Sequence, residues 1–146
     1  MKFNKSGLTP IFGTSYVANV FKDYIATAVN REVAILIRVG ETFVNTARQK
    51  HEYTDRTGNL TSSIGYILIL DGKIVNQNFS GSKPEGVNAA KKFAEQITNE
   101  YSKGLVLVGF AGMNYAAAVE SRNYDVISGS APTEEMMKKA FEKFLK

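Results

Sequence analysis

The sequence contains no cysteine and a single histidine, His51. Without thiols the chain has neither a disulfide framework nor a thiolate metal site, and it suits a reducing cytoplasm. One imidazole without cysteines leaves no obvious transition-metal site, so neither a metal nor another cofactor is expected. The longest apolar runs, 33–37 and 105–108, are far shorter than the roughly 20 residues that span a bilayer. We therefore expect no membrane association.

The excess of positive charge is also small and dispersed. The formal net charge is +4 over 146 residues, and the only dense basic cluster, Arg48, Lys50 and Arg56, is interrupted by Glu52 and Asp55. Nucleic-acid binders usually concentrate lysine and arginine on one face. No specific nucleic-acid binding is expected. Basic residues near the start are not followed by an apolar segment, so no signal peptide is expected either.

The length and the 44% of hydrophobic residues predict one domain with a real core. Residues 1–13, which are interrupted by Gly7, Pro10 and Gly13, are instead expected to form an extended N-terminal arm. Residues 14–146 are expected to form a single α+β domain.

A long helix is predicted from Thr14 or Ser15 to about Lys50, because apolar residues recur there at spacings of three and four and no proline interrupts the run. Such a helix reaches roughly 50 Å at 1.5 Å per residue, which is longer than a compact domain of this size needs. We therefore expect its apolar stripe to contact a neighbouring subunit.

The rest of the chain predicts a small sheet with further helices. Asp71-Gly72 between strands 65–70 and 73–79 predicts a β-hairpin. A helix is expected from Pro84 or Glu85 to about residue 102, a buried strand over 105–110, a short helix over 115–122, a strand over 124–128 and a last helix from Pro132. The expected fold class is α+β, with a mostly antiparallel sheet of about four strands and helices packed on one face.

The first strand of the hairpin is apolar on both faces, and one face of it is expected to be covered by another subunit. Together with the helix stripe it supplies the candidate assembly interface, which consists of Phe21, Ile25, Ile35, Val39, Phe43, Leu68 and Ile69.

No residue pattern predicts catalysis. His51 stands alone in a polar segment, and neither Ser62 nor Ser63 lies in a nucleophile elbow. Glu52 and Asp55 are closely spaced carboxylates, which in a polar loop are usually solvated. The glycines of the segment 109–112 are explained more simply by a tight turn than by a phosphate site. The chain is expected not to be an enzyme.

Two short segments carry more information than any other part of the chain. The first reads Thr-Gly-Asn-Leu-Thr-Ser-Ser-Ile over 57–64, and the second reads Tyr-Ala-Ala-Ala-Val-Glu over 115–120. Their order and spacing resemble the tail-completion, or head–tail joining, proteins of tailed bacteriophages, whose motifs are T-G-x-L-x-x-S-I and Y-A-x-x-V-E. The matching residues are Thr57, Gly58, Leu60, Ser63, Ile64, Tyr115, Ala116, Val119 and Glu120.

This resemblance implies a virion structural protein without an active site. Proteins of this family are also called minor capsid proteins. The resemblance implies that the chain is made in the host cytoplasm and forms a ring-shaped homo-oligomer at the neck of the virion. Its partners would be the connector or adaptor and the tail-tube or tail-terminator proteins. The sequence departs from the family pattern after Glu120, where Ser121-Arg122-Asn123 replaces the usual glycine and small residue. The alternatives are a small intracellular regulatory module that binds protein or nucleic acid, and a small hydrolase that uses His51.

Overall fold

The computed structural model of the chain describes residues 14–50 and 53–145. The predicted arm at 1–13 and the isolated His51 lie outside the described residues. The chain divides into two compact units, Met1–Glu32 and Val33–Lys146. The predicted domain boundary, after residue 13, lies inside the first of these units.

The predicted long helix is present as α1, Thr14–Gln49. In the part that belongs to the first unit, nearly every side chain from residue 15 onwards is exposed. In the part that belongs to the second unit, the buried positions recur with the helical period. They are Ile35, Leu36, Phe43, Val44 and Ala47.

The sheet has three antiparallel strands in the order β2-β1-β3, with β1 at Ile64–Leu70, β2 at Lys73–Asn78 and β3 at Leu105–Ala111. The predicted hairpin is confirmed. Asp71 and Gly72 both have positive φ angles, 49° and 82°, as a two-residue turn that follows the twist of the strands requires. Asp71 also holds the loop before β3, because its carboxylate accepts a hydrogen bond of 2.9 Å from the Gly104 N–H.

Helices cover both faces of the sheet, which corrects the expectation that they pack on one face. On one face Ile64 and Tyr66 pack against Phe43, Val44 and Ala47 of α1. On the other face Ile67 and Ile69 pack against the third helix, α3 at Pro84–Thr98, through Ala90 and Ala94. The central strand reads as a continuous apolar run because both of its faces belong to the core.

A polar network joins α1 to the hairpin at the edge of this core. The Tyr66 hydroxyl lies 2.9 Å from a carboxylate oxygen of Glu41 and 2.6 Å from the Asn76 side chain, and the Asn78 amide donates to the other Glu41 oxygen at 2.8 Å. Burial and the neighbouring carboxylate raise the pKa of Tyr66, so the phenol keeps its proton. The network satisfies polar groups that would otherwise be costly beneath the helix.

The remaining helices are short. They are α2 at Asn59–Ser62, α4 at Ala116–Ser121 and α5 at Glu134–Leu145, with a 3-10 turn at Ser128–Ser130. The strand predicted over 124–128 is absent, so the described part of the chain has three strands and not four. The N–H groups of Val126, Ile127 and Ser128 donate to the side chain of Glu120. Because these N–H groups are bonded to Glu120, they are not available for hydrogen bonds to a neighbouring strand.

Candidate functional site

The first signature segment is organised by a left-handed glycine and a capping carboxylate. Gly58 has a φ of 77° and precedes α2, a conformation that costs a residue with a side chain about 1–2 kcal/mol. The Asp55 carboxylate accepts hydrogen bonds from the N–H groups of Gly58 and Thr61, at 3.0 and 2.7 Å. Asp55 therefore caps the first turn of the segment, which corrects the expectation that it is a solvated carboxylate; Glu52 lies outside the described residues.

Leu60 and Ser63 connect this turn to the interior. Leu60 is almost fully buried and packs in one cluster with Tyr53, Ala116 and Val126. The Ser63 hydroxyl donates to the Leu60 carbonyl at 2.7 Å and accepts from the Met113 N–H at 3.3 Å. Ser63 is a buried polar residue that satisfies backbone groups of two separate segments.

The second signature segment packs directly on the first. Ala116, at the start of α4, is buried in the Leu60 cluster, and Val119 packs against the same cluster one turn later. Burial and the carboxylate of Asp55 raise the pKa of Tyr115, and the Thr57 side chain acts in the opposite direction, so Thr57 lies beside the phenol. Residues of both segments therefore meet in one place although more than fifty positions separate them in sequence. We refer to these residues as the signature cluster, together with the side chains that cap them or pack against them. It consists of Thr57, Leu60, Ser63, Tyr115, Ala116 and Val119, with Tyr53, Asp55, Glu120 and Val126.

Glu120 ends the second segment and organises the loop that follows it. One carboxylate oxygen accepts from the N–H groups of Val126, Ile127 and Ser128 at 2.7–3.1 Å, and the other accepts from the Ser128 hydroxyl at 2.9 Å. These bonds satisfy both oxygens of the Glu120 carboxylate. They place Val126 in the signature cluster, where it is 1% exposed.

Partial burial works against the charged form of Glu120, but the hydrogen bonds from Ile127, Ser128 and Val126 outweigh it, and the pKa of Glu120 is lowered from its usual value of 4.5. A lowered pKa in the folded state means that the carboxylate stabilises the fold above the pKa of the unfolded chain, and that this stabilisation is lost as the pH falls.

We expect Glu120→Gln to lower the free energy of unfolding at pH 7 by about 1 kcal/mol, because the charge-assisted bonds are lost at a partly solvated site. The difference from wild type should shrink as the pH falls below 4.5. Urea denaturation at pH 7, 4 and 3 measures both effects, since these values bracket the unfolded pKa of about 4.3. Glu95→Gln, at an exposed position of α3, is the control. A difference that stays constant over this pH range would contradict the assigned role of Glu120.

The candidate interface residues divide into three groups. Phe21 and Ile25 are exposed, at 63% and 59%. Ile35 and Phe43 are buried by the chain itself and Val39 is half-buried, and all three line a groove of the second unit together with residues of α5. Leu68 and Ile69 are fully buried by the chain itself, because α1 and α3 cover the two faces of β1. The expectation that one face of this strand remains open to another subunit is therefore corrected.

Sequence reasoning missed three residues that complete the signature cluster. Asp55, Tyr53 and Val126 come from segments predicted to be polar loop or strand. The capping role of Asp55 has a sequence signal, because aspartate shortly before a helical turn is a preferred cap. No local pattern brings Tyr53 or Val126 to Leu60.

The two glycines of the segment 109–112 are explained by close packing and not only by the predicted tight turn. A Cβ atom on Gly109 would lie 2.6 Å from the Phe43 ring, and one on Gly112 would lie 2.6 Å from backbone atoms of Ala90. Both positions are glycine because a helix approaches the strand closely.

Within residues 14–50 and 53–145, no group of three or more His, Cys, Asp or Glu side chains is arranged to hold a metal ion. No helix in the same ranges is long and apolar enough to cross a membrane. The chain matches no family model, no curated protein and no solved structure.

Proposed function

We propose that this chain is a virion structural protein of a tailed bacteriophage, which assembles as a ring at the neck and joins the tail to the head-side connector. Its partners in this role are the connector or adaptor on one side and a tail-tube or tail-terminator protein on the other.

The observation that carries the proposal is the signature cluster. Two short segments of common residues can resemble a family pair by chance, but a chance pair has no reason to meet in the folded chain. Here Leu60 of the first segment packs with Ala116 of the second, and Thr57 lies beside Tyr115. The two segments thus form one structural unit, as a pair of motifs that defines a family would.

A second observation supports assembly as the activity. The signature cluster consists of caps, buried aliphatic contacts and satisfied hydroxyls, and its carboxylates Asp55 and Glu120 are occupied by backbone donors. These residues determine the shape of the fold. Large aromatic side chains meanwhile lie exposed on α1, and exposed apolar patches of this kind mark interaction surfaces.

The test is made in the genome that encodes the chain. We expect portal, capsid and tail-tube genes next to the reading frame.

A phage with a stop codon at Tyr53 should produce filled heads and separate tails in electron micrographs, and expression of the wild-type chain in trans should restore joined particles. Expression of the Leu68→Lys variant, which is expected not to fold, is the negative control. Fully joined, infectious particles from the stop-codon phage would refute the proposal.

A further inference from the structure

The first unit carries an unusual concentration of exposed apolar side chains. Five large residues on α1 have between 50% and 74% of their surface exposed. Their spacing places them along one side of the helix. We call this set the N-terminal stripe. It consists of Tyr16, Val20, Phe21, Tyr24 and Ile25.

The area of the stripe is large for a surface that remains in water. Taking about 150–250 Å² as the surface of each aromatic side chain, the exposed fractions of Tyr16, Phe21 and Tyr24 leave roughly 300–500 Å² in contact with solvent, to which Val20 and Ile25 add. The largest apolar patch on a typical monomer covers about 300–600 Å² and is often functional. The stripe therefore has the size of half a small protein interface, to which the partner adds a similar area.

The second unit carries a groove that matches the stripe in chemistry. The groove has a volume of about 250 Å³ and lies between residues 35–43 of α1 and residues 130–143, which include most of α5. Met136 at its margin is 52% exposed, and methionine side chains adapt to the shape of an apolar partner. We call it the α1–α5 groove. Its apolar lining consists of Ile35, Val39, Phe43, Pro132, Met136, Met137 and Ala140.

Length and charge are also complementary. The stripe runs over nine helical rises, about 13 Å, and the α1 wall of the groove over eight, about 12 Å. The groove carries two cationic side chains, Arg38 and Lys143. Asp23 lies within the sequence range of the stripe, one residue from Tyr24, on the flank of its helical face. An acidic flank facing cationic walls favours one orientation of the helix in the groove.

We propose that the N-terminal stripe of one copy of this chain binds in the α1–α5 groove of the next copy. The occupant is a second copy because the chain itself supplies both complementary surfaces. The binding mode is that of an amphipathic helix in an apolar groove, with Phe21 and Tyr24 as the aromatic anchors.

The two surfaces are different, so the contact is head-to-tail. A head-to-tail contact propagates from copy to copy and closes into a ring when the rotation allows it, whereas two identical stripes in contact would stop at a dimer. The inference therefore deepens the proposed neck ring by naming its subunit contact, and it rests on that proposed function only for closure into a ring.

The absence of cysteine makes a disulfide trap the sharpest test. We would prepare Phe21→Cys and Met136→Cys as separate chains, mix them and oxidise them mildly. A disulfide requires Cα atoms about 4.4–6.8 Å apart, so a heterodimer forms only where stripe meets groove. Asn19→Cys, at an exposed position on the opposite side of α1, is the matched control for Phe21→Cys.

We expect the mixture of Phe21→Cys and Met136→Cys to give at least about tenfold more cross-linked heterodimer than the mixture of Asn19→Cys and Met136→Cys. Equal yields in the two mixtures, or a Phe21→Cys homodimer as the main product, would overturn the head-to-tail contact.

Sedimentation velocity provides a second measurement that does not depend on a new bond. We expect Phe21→Lys and Met136→Lys each to weaken self-association at least about tenfold. Each substitution places a lysine in the apolar contact between stripe and groove, close to the cationic side chains of the groove. Their mixture retains one intact stripe and one intact groove, so it should form a 1:1 dimer that does not grow. A mixture that stays monomeric, or a wild-type chain that is monomeric at its solubility limit, would overturn the proposal.

The experiments can refute the neck function and the stripe–groove contact independently of each other. If wild-type rings form and both lysine variants still assemble, the neck function stands and the stripe–groove contact is wrong. If the contact is trapped but the stop-codon phage yields joined particles, the contact stands and the neck function is wrong. Circular dichroism melts of each variant show that the substitution leaves the fold intact.

Discussion

Leu68→Lys should leave the chain unfolded at 25 °C. Leu68 lies in the middle of the central strand, is fully buried and stands opposite Leu107 of β3 and Asn76 of β2. A lysine there must either bury an unpaired ammonium group or give up its proton, and both options are costly in an apolar interior. We expect a loss of at least about 5 kcal/mol, which is enough to unfold a domain at the lower end of the usual range of 5–15 kcal/mol.

Two further variants make the measurement quantitative. Leu68→Ala should lose less, about 2–5 kcal/mol, because it leaves a cavity without burying a charge. Val75→Lys is the matched control. Val75 is the extra residue of the bulge in β2, where Leu68 pairs with Asn76 and Ile69 with Ile74, and it is 46% exposed. Its stability should change by no more than about 0.5 kcal/mol.

Urea denaturation followed by far-UV circular dichroism determines the free energy of unfolding of each variant. A folded Leu68→Lys chain with altered oligomer mass would show that this face of β1 lies at an interface between subunits. That result would reinstate the sequence-based expectation and contradict the packing of α1 on the sheet.

Gly112→Ala is the second substitution from which we expect a large effect. The new Cβ atom would lie 2.6 Å from the Cα and N atoms of Ala90 and 2.7 Å from the carbonyl carbon of Ala89. These are backbone atoms of a helix, so no side chain can rotate to make room. The Gly112 N–H also donates to the Ser63 carbonyl at 3.0 Å, which holds the residue in place. Either α3 moves away from the sheet or the bond to Ser63 breaks.

Overpacking of this kind costs about 1–3 kcal/mol, and we expect the upper end, about 3 kcal/mol, because the obstacle is rigid. At about 2–4 °C per kcal/mol for a chain of this length, the melting temperature should fall by roughly 10 °C. Gly104→Ala is the control, since a Cβ atom there meets nothing within 4 Å and the only cost is its φ of 80°. That cost should be about 1 kcal/mol. Equal losses at the two glycines would show that the close approach of α3 does not limit position 112.

Elements governed by neighbours in sequence were predicted well. The helix Thr14–Gln49 follows from the spacing of its apolar residues and the lack of proline, and the hairpin follows from Asp71-Gly72, whose positive φ angles are a property of the turn itself. The strand at Leu105–Ala111 follows from its apolar run. In each case the determining interactions connect residues close together along the chain.

Elements governed by distant partners were predicted poorly. The alternation of residues 124–128 predicts a strand, but Glu120 binds their N–H groups and leaves them as an irregular loop. The apolar faces of β1 predict a surface for another subunit, but α1 and α3 cover both of them. Periodicity reports which side chains avoid water and not which element covers them.

The same division applies to the candidate site. The sequence by itself determined which residues form the two signature segments, their order and the position of Gly58 in the first. Only the tertiary structure decided that Leu60 meets Ala116 and Val126, and that the stripe predicted on α1 divides into an exposed part at Phe21 and Ile25 and a groove wall at Ile35, Val39 and Phe43. The physical reason is that turns, caps and helical periods are local properties of the backbone, whereas burial of an apolar side chain depends on chain segments that are remote in sequence.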